Sequence, residues 1–291
     1  MIERPEKFPS SEHEIREHVA LEYLRLGSVS KVLQYNEDIP YSESSIHRIV
    51  DEFGIVKFSG RHSAPMGDTL AFLQQYSIDT RGVERVVERT LPWNLQTSDT
   101  TFYRVIKSIK KGVVRRNAAA LVITPENGNN YVLVADDSTS LDKNSKSSVL
   151  TLPSSFVGPK ETDRNIVIGI LQREVFANLT LAKTFPYEIV DSASQFMELI
   201  IGDISLGVYH LPIASSYLTI GSLSSPKLAN HRFITPQQVF SGIHTNLRLG
   251  SLEVAEGYLE YLQSGAFISR KANINRAIIL NRGFDQTISP S

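Results

Sequence analysis

The residues best equipped for chemistry are hydroxyls and cations set down twice in the same order. Ser42-Glu43-Ser44-Ser45-Ile46-His47-Arg48-Ile49-Val50 is matched in character at every position by Ser98-Asp99-Thr100-Thr101-Phe102-Tyr103-Arg104-Val105-Ile106. In a helix that opens on the leading Ser, the residues Ser44, Ser45, His47 and Arg48 oppose the apolar stripe of Ile46, Ile49, Val50 and Phe53. Thr100, Thr101, Tyr103, Arg104 and Lys107 oppose Phe102, Val105, Ile106 and Ile109 in the same way. Small hydroxyls let a helix approach a groove closely, and Arg and His bond to phosphates or base edges. The chemistry is recognition of double-stranded DNA. Two ordinary amphipathic helices with solvated faces are the plainer account, and it is the repetition that favours recognition.

These faces need elements to hold them. Val29, Val32 and Leu33 precede the first motif as Val83, Val86 and Val87 precede the second, so each unit reads as a short apolar helix, a turn and a capped helix. Glu12 to Leu26 forms the leading helix of the first unit, with Ser11 and Glu14 at capping-box spacing. The first unit resembles the helix-turn-helix modules of bacterial and phage regulators and recombinases, a resemblance of about fifty residues per unit. Gly54 to Gly67, with Gly60 and Pro65, reads as the linker between them. Arg104, Lys107, Lys110, Lys111, Arg115 and Arg116 lie in an acid-free stretch that would make binding strongly salt-dependent. The first unit carries Glu37, Asp38, Glu43, Asp51 and Glu52, which oppose phosphate binding.

Composition sets bounds. A chain of 291 residues, 41% hydrophobic and 21% charged, folds into more than one domain with a sizeable core. Its net charge of −1 excludes a protein coated in nucleic acid, so DNA contact must be local. The absence of cysteine excludes disulfides and thiolate metal sites, and the seven histidines show no zinc spacing. His13 and His18 share a helix at a poor interval for one metal. The charged amino terminus does not suit a signal peptide, and no apolar run suits a membrane helix, so a cytoplasmic location is expected.

Beyond the basic stretch the period becomes extended. Ala118 to Thr124 and Tyr131 to Ala135 read as strands, joined by residues 125 to 130 with a hairpin signal. Ser138 to Ser148 reads as a polar loop. Leu152-Pro153-Ser154-Ser155, Glu161 and Arg173-Glu174-Val175 follow. At these residues the chain resembles the Nudix family, in which a similar pair of strands precedes an L-P-G-G turn and the motif G-x5-E-x7-R-E-U-x-E-E-x-G-U, U being a bulky aliphatic. His231 to Val239 is similar to the family's late strand and short helix, and Leu252 to Leu262 to its closing helix. The resemblance covers about Asn117 to Gln263. It implies an α/β/α sandwich with a mixed sheet, and a ligand of nucleotide or nucleotide-sugar type held by Ser154, Ser155, Glu161, Arg173 and Glu174.

The departures govern the reading of activity. Eleven residues separate Glu161 from Arg173 where the motif has seven, and the E-E pair is Ala177-Asn178. Those acids hold divalent metal in active relatives, and neither alanine nor a neutral amide replaces them. An unusual metal set would have to recruit Asp136, Asp137 or Asp163. Paired serines in place of paired glycines restrict the backbone where a phosphate would pass. The expected fold is therefore α+β multidomain: helix-turn-helix units at 1–60 and 61–116, all-α, then a Nudix-like sandwich at 117–268 and a tail at 269–291. The expected function is a DNA-binding transcriptional regulator whose catalytically degraded domain senses a nucleotide-type ligand. No catalytic residue, metal or cofactor is assigned, and a homodimer is compatible with the pattern. The DNA-contacting set is Ser44, Ser45, His47, Arg48, Thr100, Thr101, Tyr103, Arg104, Lys107, Lys110 and Lys111. The alternatives are an active hydrolase of nucleoside diphosphate derivatives and a DNA-binding accessory protein with a non-catalytic interaction domain.

Overall fold

A computed structural model describes residues 11–58, 107–108, 111–128, 130–137, 149–219, 221–240 and 247–272. Helix α1 (Glu12–Leu26) begins at a complete capping box, in which the Glu14 amide donates to the Ser11 hydroxyl and the Ser11 amide to the Glu14 carboxylate. It ends at Gly27, whose φ of 71° supplies the left-handed cap. Helix α2 (Val29–Tyr35) follows, then a turn, then α3 (Glu43–Glu52), capped by the Ser42 hydroxyl accepting from the Ser45 amide. Val19, Leu24, Val32, Ile46 and Val50 meet with no exposure and form the centre of this helical core.

The remainder is a sandwich built around β1 (Arg116–Pro125). Ala118, Ala120 and Val122 face one core and Ala119, Leu121 and Ile123 the other, so β1 is buried on both sides, as a strand covered on both faces must be. β1 pairs antiparallel with β4 (Ser154–Val157) and parallel with β6 (Ile204–Ile213); β6 pairs with β5 (Ser194–Ile201), and β5 with β8 (Ile268–Lys271). This gives a mixed five-stranded sheet in the order β4-β1-β6-β5-β8. A second sheet, β3-β2-β7, joins β2 (Val132–Asp137), β3 (Val149–Thr151) and β7 (Leu228–Ile234). One core lies under helix α4 (Asp163–Glu174), through Ile166, Val167, Ile170 and Leu171. The other lies under α7 (Ser251–Ser264), through Leu252, Val254, Ala255 and Tyr258. Two short α-helices, α5 (Ala177–Leu181) after α4 and α6 (Pro236–Phe240) after β7, and two 3-10 turns, Tyr187–Ser192 and Ser215–Tyr217, complete the described elements.

The mixed sheet and flanking helices are those expected, but three local expectations are corrected. β1 and β2 do not form a hairpin: β4 and β6 occupy both edges of β1, and β2 pairs instead with β3 and β7. Ser154 and Ser155 are not turn residues, because they pair with Ala120 and Ala119 at the start of β4. Strand β8 crosses the boundary drawn between sandwich and tail at residue 268, because its pairing with β5 completes the sheet edge. Among the described residues, no helix is long and apolar enough to cross a membrane.

The sandwich encloses a polar knot that the sequence did not mark. The Nε2 of His210 lies 3.1 Å from the Thr124 hydroxyl and 3.3 Å from the Tyr258 hydroxyl, both of these side chains being fully buried. Burial pulls the imidazole below its ordinary value of 6.5. The unfolded chain then takes up this proton at higher pH than the folded one, so stability falls as pH drops through that value towards the lower folded one. His210→Asn should flatten the acid limb of a stability-against-pH curve measured by denaturant titration. An unaltered slope would show that His210 does not contribute to it.

Candidate functional site

Two surfaces gather the residues singled out by sequence. On α3, Ile46, Ile49 and Val50 are buried with Phe53 at the C-cap, while Ser44, His47 and Arg48 are exposed and Ser45 is half-buried. The Ser42 hydroxyl sits 3.0 Å from both the Ser44 and Ser45 hydroxyls, and Arg48 donates to Ser45 at 3.2 Å. Two of the acids that counted against this face are bound by cations. Asp51 pairs with Lys57 at 2.6 Å, and Glu52 pairs with Arg16 and, at 2.8 Å, with Lys183.

Most of the second copy lies outside the described residues, Thr100, Thr101, Tyr103, Arg104 and Lys110 included. Lys107 and Lys111 are helical and exposed. Arg116, from the same basic stretch, is engaged elsewhere: it ion-pairs with Asp203 at the entry to β1 and lies over the Phe156 ring.

The second surface is the seam between the helical unit and α4. Gln172, fully buried, accepts from the Val56 amide at 2.9 Å and donates to the Gly54 carbonyl at 2.8 Å. The next residue, Arg173, donates to the Val56 carbonyl at 3.3 Å and lies 4.4 Å from the centre of the Phe58 ring. Gly169 supplies the clearance, since a Cβ there would collide with the Phe58 ring. Residues 54–58 thus form a strap along α4. Ala177, the first residue of α5, completes the core of the helical unit.

The charges at this seam are poorly solvated. Arg173 and Glu174 are each only 5% exposed. Burial lowers the Arg173 pKa and raises that of Glu174. Lys227, half-buried in the lead-in to β7, is lowered by burial and then supported by Glu174. The lead-in is fixed against the end of α4: the Ser224 amide donates to the Val175 carbonyl at 2.7 Å, the Ala177 amide to the Ser224 carbonyl at 3.1 Å, and the His231 ring lies 2.7 Å from the Glu174 carbonyl. Lys227 carries no sequence signal, because a lone lysine before a strand is ordinary until the fold sets it beside Glu174. Of the other expected ligand residues, Glu161 precedes the Thr162 cap of α4 and is close enough for its charge to act on Arg173. Ser154 and Ser155 lie half-buried in β4.

The family resemblance implies a divalent cation, and these residues do not fit one. Ala177 is buried in an apolar core, Asn178 is exposed, and Glu174 is flanked by an ammonium and a guanidinium. The acids that an unusual set could recruit are already engaged: Asp136 by Arg232 and Asn230, Asp137 by Arg248, and Asp163 by the Tyr209 hydroxyl. Among the described residues, no three His, Asp or Glu side chains cluster suitably for a metal. A pocket of about 380 Å³, counting its open mouth, lies elsewhere, lined by Val122, Val134, Leu152, Val239 and Tyr258; its apolar walls do not suit a phosphate.

No protein-family model matches this sequence, and no curated protein does. The C-terminal portion is similar to Nudix hydrolases in solved structures. An ADP-ribose pyrophosphatase from Streptococcus suis shares 10% identity, over 54% of this chain and 98% of that one, with a TM-score of 0.33. A Nudix hydrolase from Nitrosomonas europaea shares 12%, over 54% and 78%, with a TM-score of 0.37. One from Alicyclobacillus acidocaldarius shares 9%, over 53% and 98%, also with a TM-score of 0.37. No activity transfers to this chain from likenesses of this size.

The seam generates a direct test. Gln172→Ala leaves the Val56 amide without its partner and the Gly54 carbonyl with the Tyr187 hydroxyl alone, which should cost about 1–3 kcal/mol. Hydrogen exchange at the Val56 amide should accelerate more than exchange within β1. Equal protection in the variant would show that Gln172 does not hold the strap.

Proposed function

We propose that this chain is a DNA-binding regulator in which a nucleotide-type ligand, received beside α4, governs the helical unit. The observation that carries the reading is the state of α3: its hydroxyl and basic side chains stand exposed on a capped helix, and Asp51 and Glu52 are neutralised by Lys57, Arg16 and Lys183. An exposed Arg48 beside small hydroxyls can bond to phosphate oxygens or base edges, and paired acids repel the duplex less. Glu43, the acid left in the first turn, complements the helix dipole.

Sensing suits the second surface better than hydrolysis does. Hydrolysis of a phosphoanhydride by the metal route needs carboxylates converging on a hard cation, whereas here Ala177 and Asn178 replace two of them and Glu174 is hemmed in by positive charge. A ligand held without turnover changes DNA affinity by a factor that DNA must return in ligand affinity. The alternative of an active hydrolase is separated by one assay. Incubation with ADP-ribose and magnesium or manganese should give no turnover, and turnover abolished by Glu174→Gln would replace the sensor reading with an enzyme.

DNA binding is tested on α3. In an electrophoretic shift assay, Arg48→Ala should weaken binding by about 1–3 kcal/mol if Arg48 reads a base, or reduce the slope of log affinity against log salt by about one unit if it contacts phosphate. Wild-type affinity and slope in both Arg48→Ala and His47→Ala would remove α3 from the interface.

A further inference from the structure

Three ionic groups meet at the seam with bonding capacity unused. The Lys227 amide donates to the Ser225 hydroxyl at 3.1 Å, but its ammonium makes no hydrogen bond or ion pair among the described residues, although Glu174 and Arg173 both act on its charge. The Nε of Arg173 is buried with no hydrogen-bond partner, its one bond to protein being the donation from the terminal nitrogen to the Val56 carbonyl. Lys31, on α2 of the helical unit, is near enough for its charge to act on Lys227. These cations come from three separate parts of the chain: Lys227 follows the Ser224 segment that is bonded to the end of α4, and Lys31 precedes Val32, which shares its core with Ala177. Arg248, also within reach, is committed to Asp137. Glu174 and Glu161 are the carboxylates that act on Arg173, and against these two Arg173, Lys31 and Lys227 still leave one positive charge in excess. Burying cations without counter-ions is costly, and an anion supplied from outside would remove the cost.

We propose that Lys227, Arg173 and Lys31 form an anion site for the phosphate of a nucleotide-type ligand, and that filling it releases the strap of residues 54–58. The second half follows from the first. The Val56 carbonyl and the Phe58 ring occupy the approach to Arg173, so a phosphate oxygen that bonds this guanidinium takes their place. A charge-assisted bond from guanidinium to phosphate is stronger than one to a neutral carbonyl, which supplies the driving force. Release of the strap frees the link from α3 to α4, while Lys31 brings α2 into the field of the bound anion. Ligand and docked strap therefore compete for one arginine. This assignment rests on the sensor reading above, and adds to it the residues that take the phosphate and the element that responds.

The test uses the full chain with inorganic pyrophosphate and ADP as probes, titrated by calorimetry. Wild-type protein should bind at least one of them, and Lys227→Met, which keeps the length of the side chain without its charge, should bind about tenfold or more weakly. Lys227→Arg should restore most of the loss, showing that charge and not packing is at issue. Phe58→Ala should bind more tightly than wild type, because the competing strap is weakened. Hydrogen exchange at Val56 should rise on addition of probe. Binding that is unchanged in Lys227→Met, or a Phe58→Ala variant that binds no better than wild type, overturns the site or the competition while leaving a sensor elsewhere in the sandwich intact. Failure of both probes to bind wild type and Phe58→Ala alike overturns the site and the sensor reading together.

Discussion

One side-chain amide joins the two parts of this molecule. Gln172 offers a donor and an acceptor in the same geometry as a peptide group, and the strap presents a peptide N–H at Val56 and a carbonyl at Gly54 to receive them. The strap therefore docks on a helix without forming a strand, which a helix cannot pair. Around this joint the other contacts fall into place: Phe58 covers Arg173 and fits against Gly169, Tyr187 donates to the Gly54 carbonyl at 3.2 Å, and Lys183 reaches Glu52. Each is modest singly. Together they fix the exposed face of α3 relative to the sandwich.

The same seam explains why the acidic pair of the resembling motif is missing. Ala177 stands where the first of those acids would be, and its side chain closes the core formed by Val19, Leu24, Val32 and Val50. A carboxylate there would be buried among aliphatic groups, which is costly. At this position the chain has a docking contact in place of a charge. Beside it lie Arg173 and Glu174, both buried, with Lys227 from the segment leading into β7 acting on their charge.

Charge at such a seam behaves differently from charge on the surface. Pairs such as Arg164 with Asp191, both exposed, contribute little because water competes for each partner. Glu174 and Lys227 have far less water to draw on, so their protonation and their appetite for counter-charge depend on what covers them. Any movement of the helical unit changes that cover. The electrostatics of the seam and the position of α3 are consequently linked through the same few residues.

Much of this was legible in the residues themselves. Ser11 with Glu14 and Ser42 with Ser45 announced where α1 and α3 begin, because a cap is a local bond between neighbours in sequence. The β-rich run of Ala118 to Thr124 announced a strand, and the spacing of Ile46, Ile49 and Val50 announced which side of α3 is buried. Pairing was not legible: the turn after Pro125 reads as a hairpin, yet the edges of β1 go to β4 and β6, a choice made by competition among distant strands. Nor was the burial of Arg173 legible, or the part played by Lys227, which lies 53 positions from Glu174 in the chain. By itself the sequence determined the helices, their caps and their amphipathic faces, since these depend on contacts within a few residues. Only the tertiary structure decided which charges lose their water, because solvation is set by what packs overhead and not by what comes next in the chain.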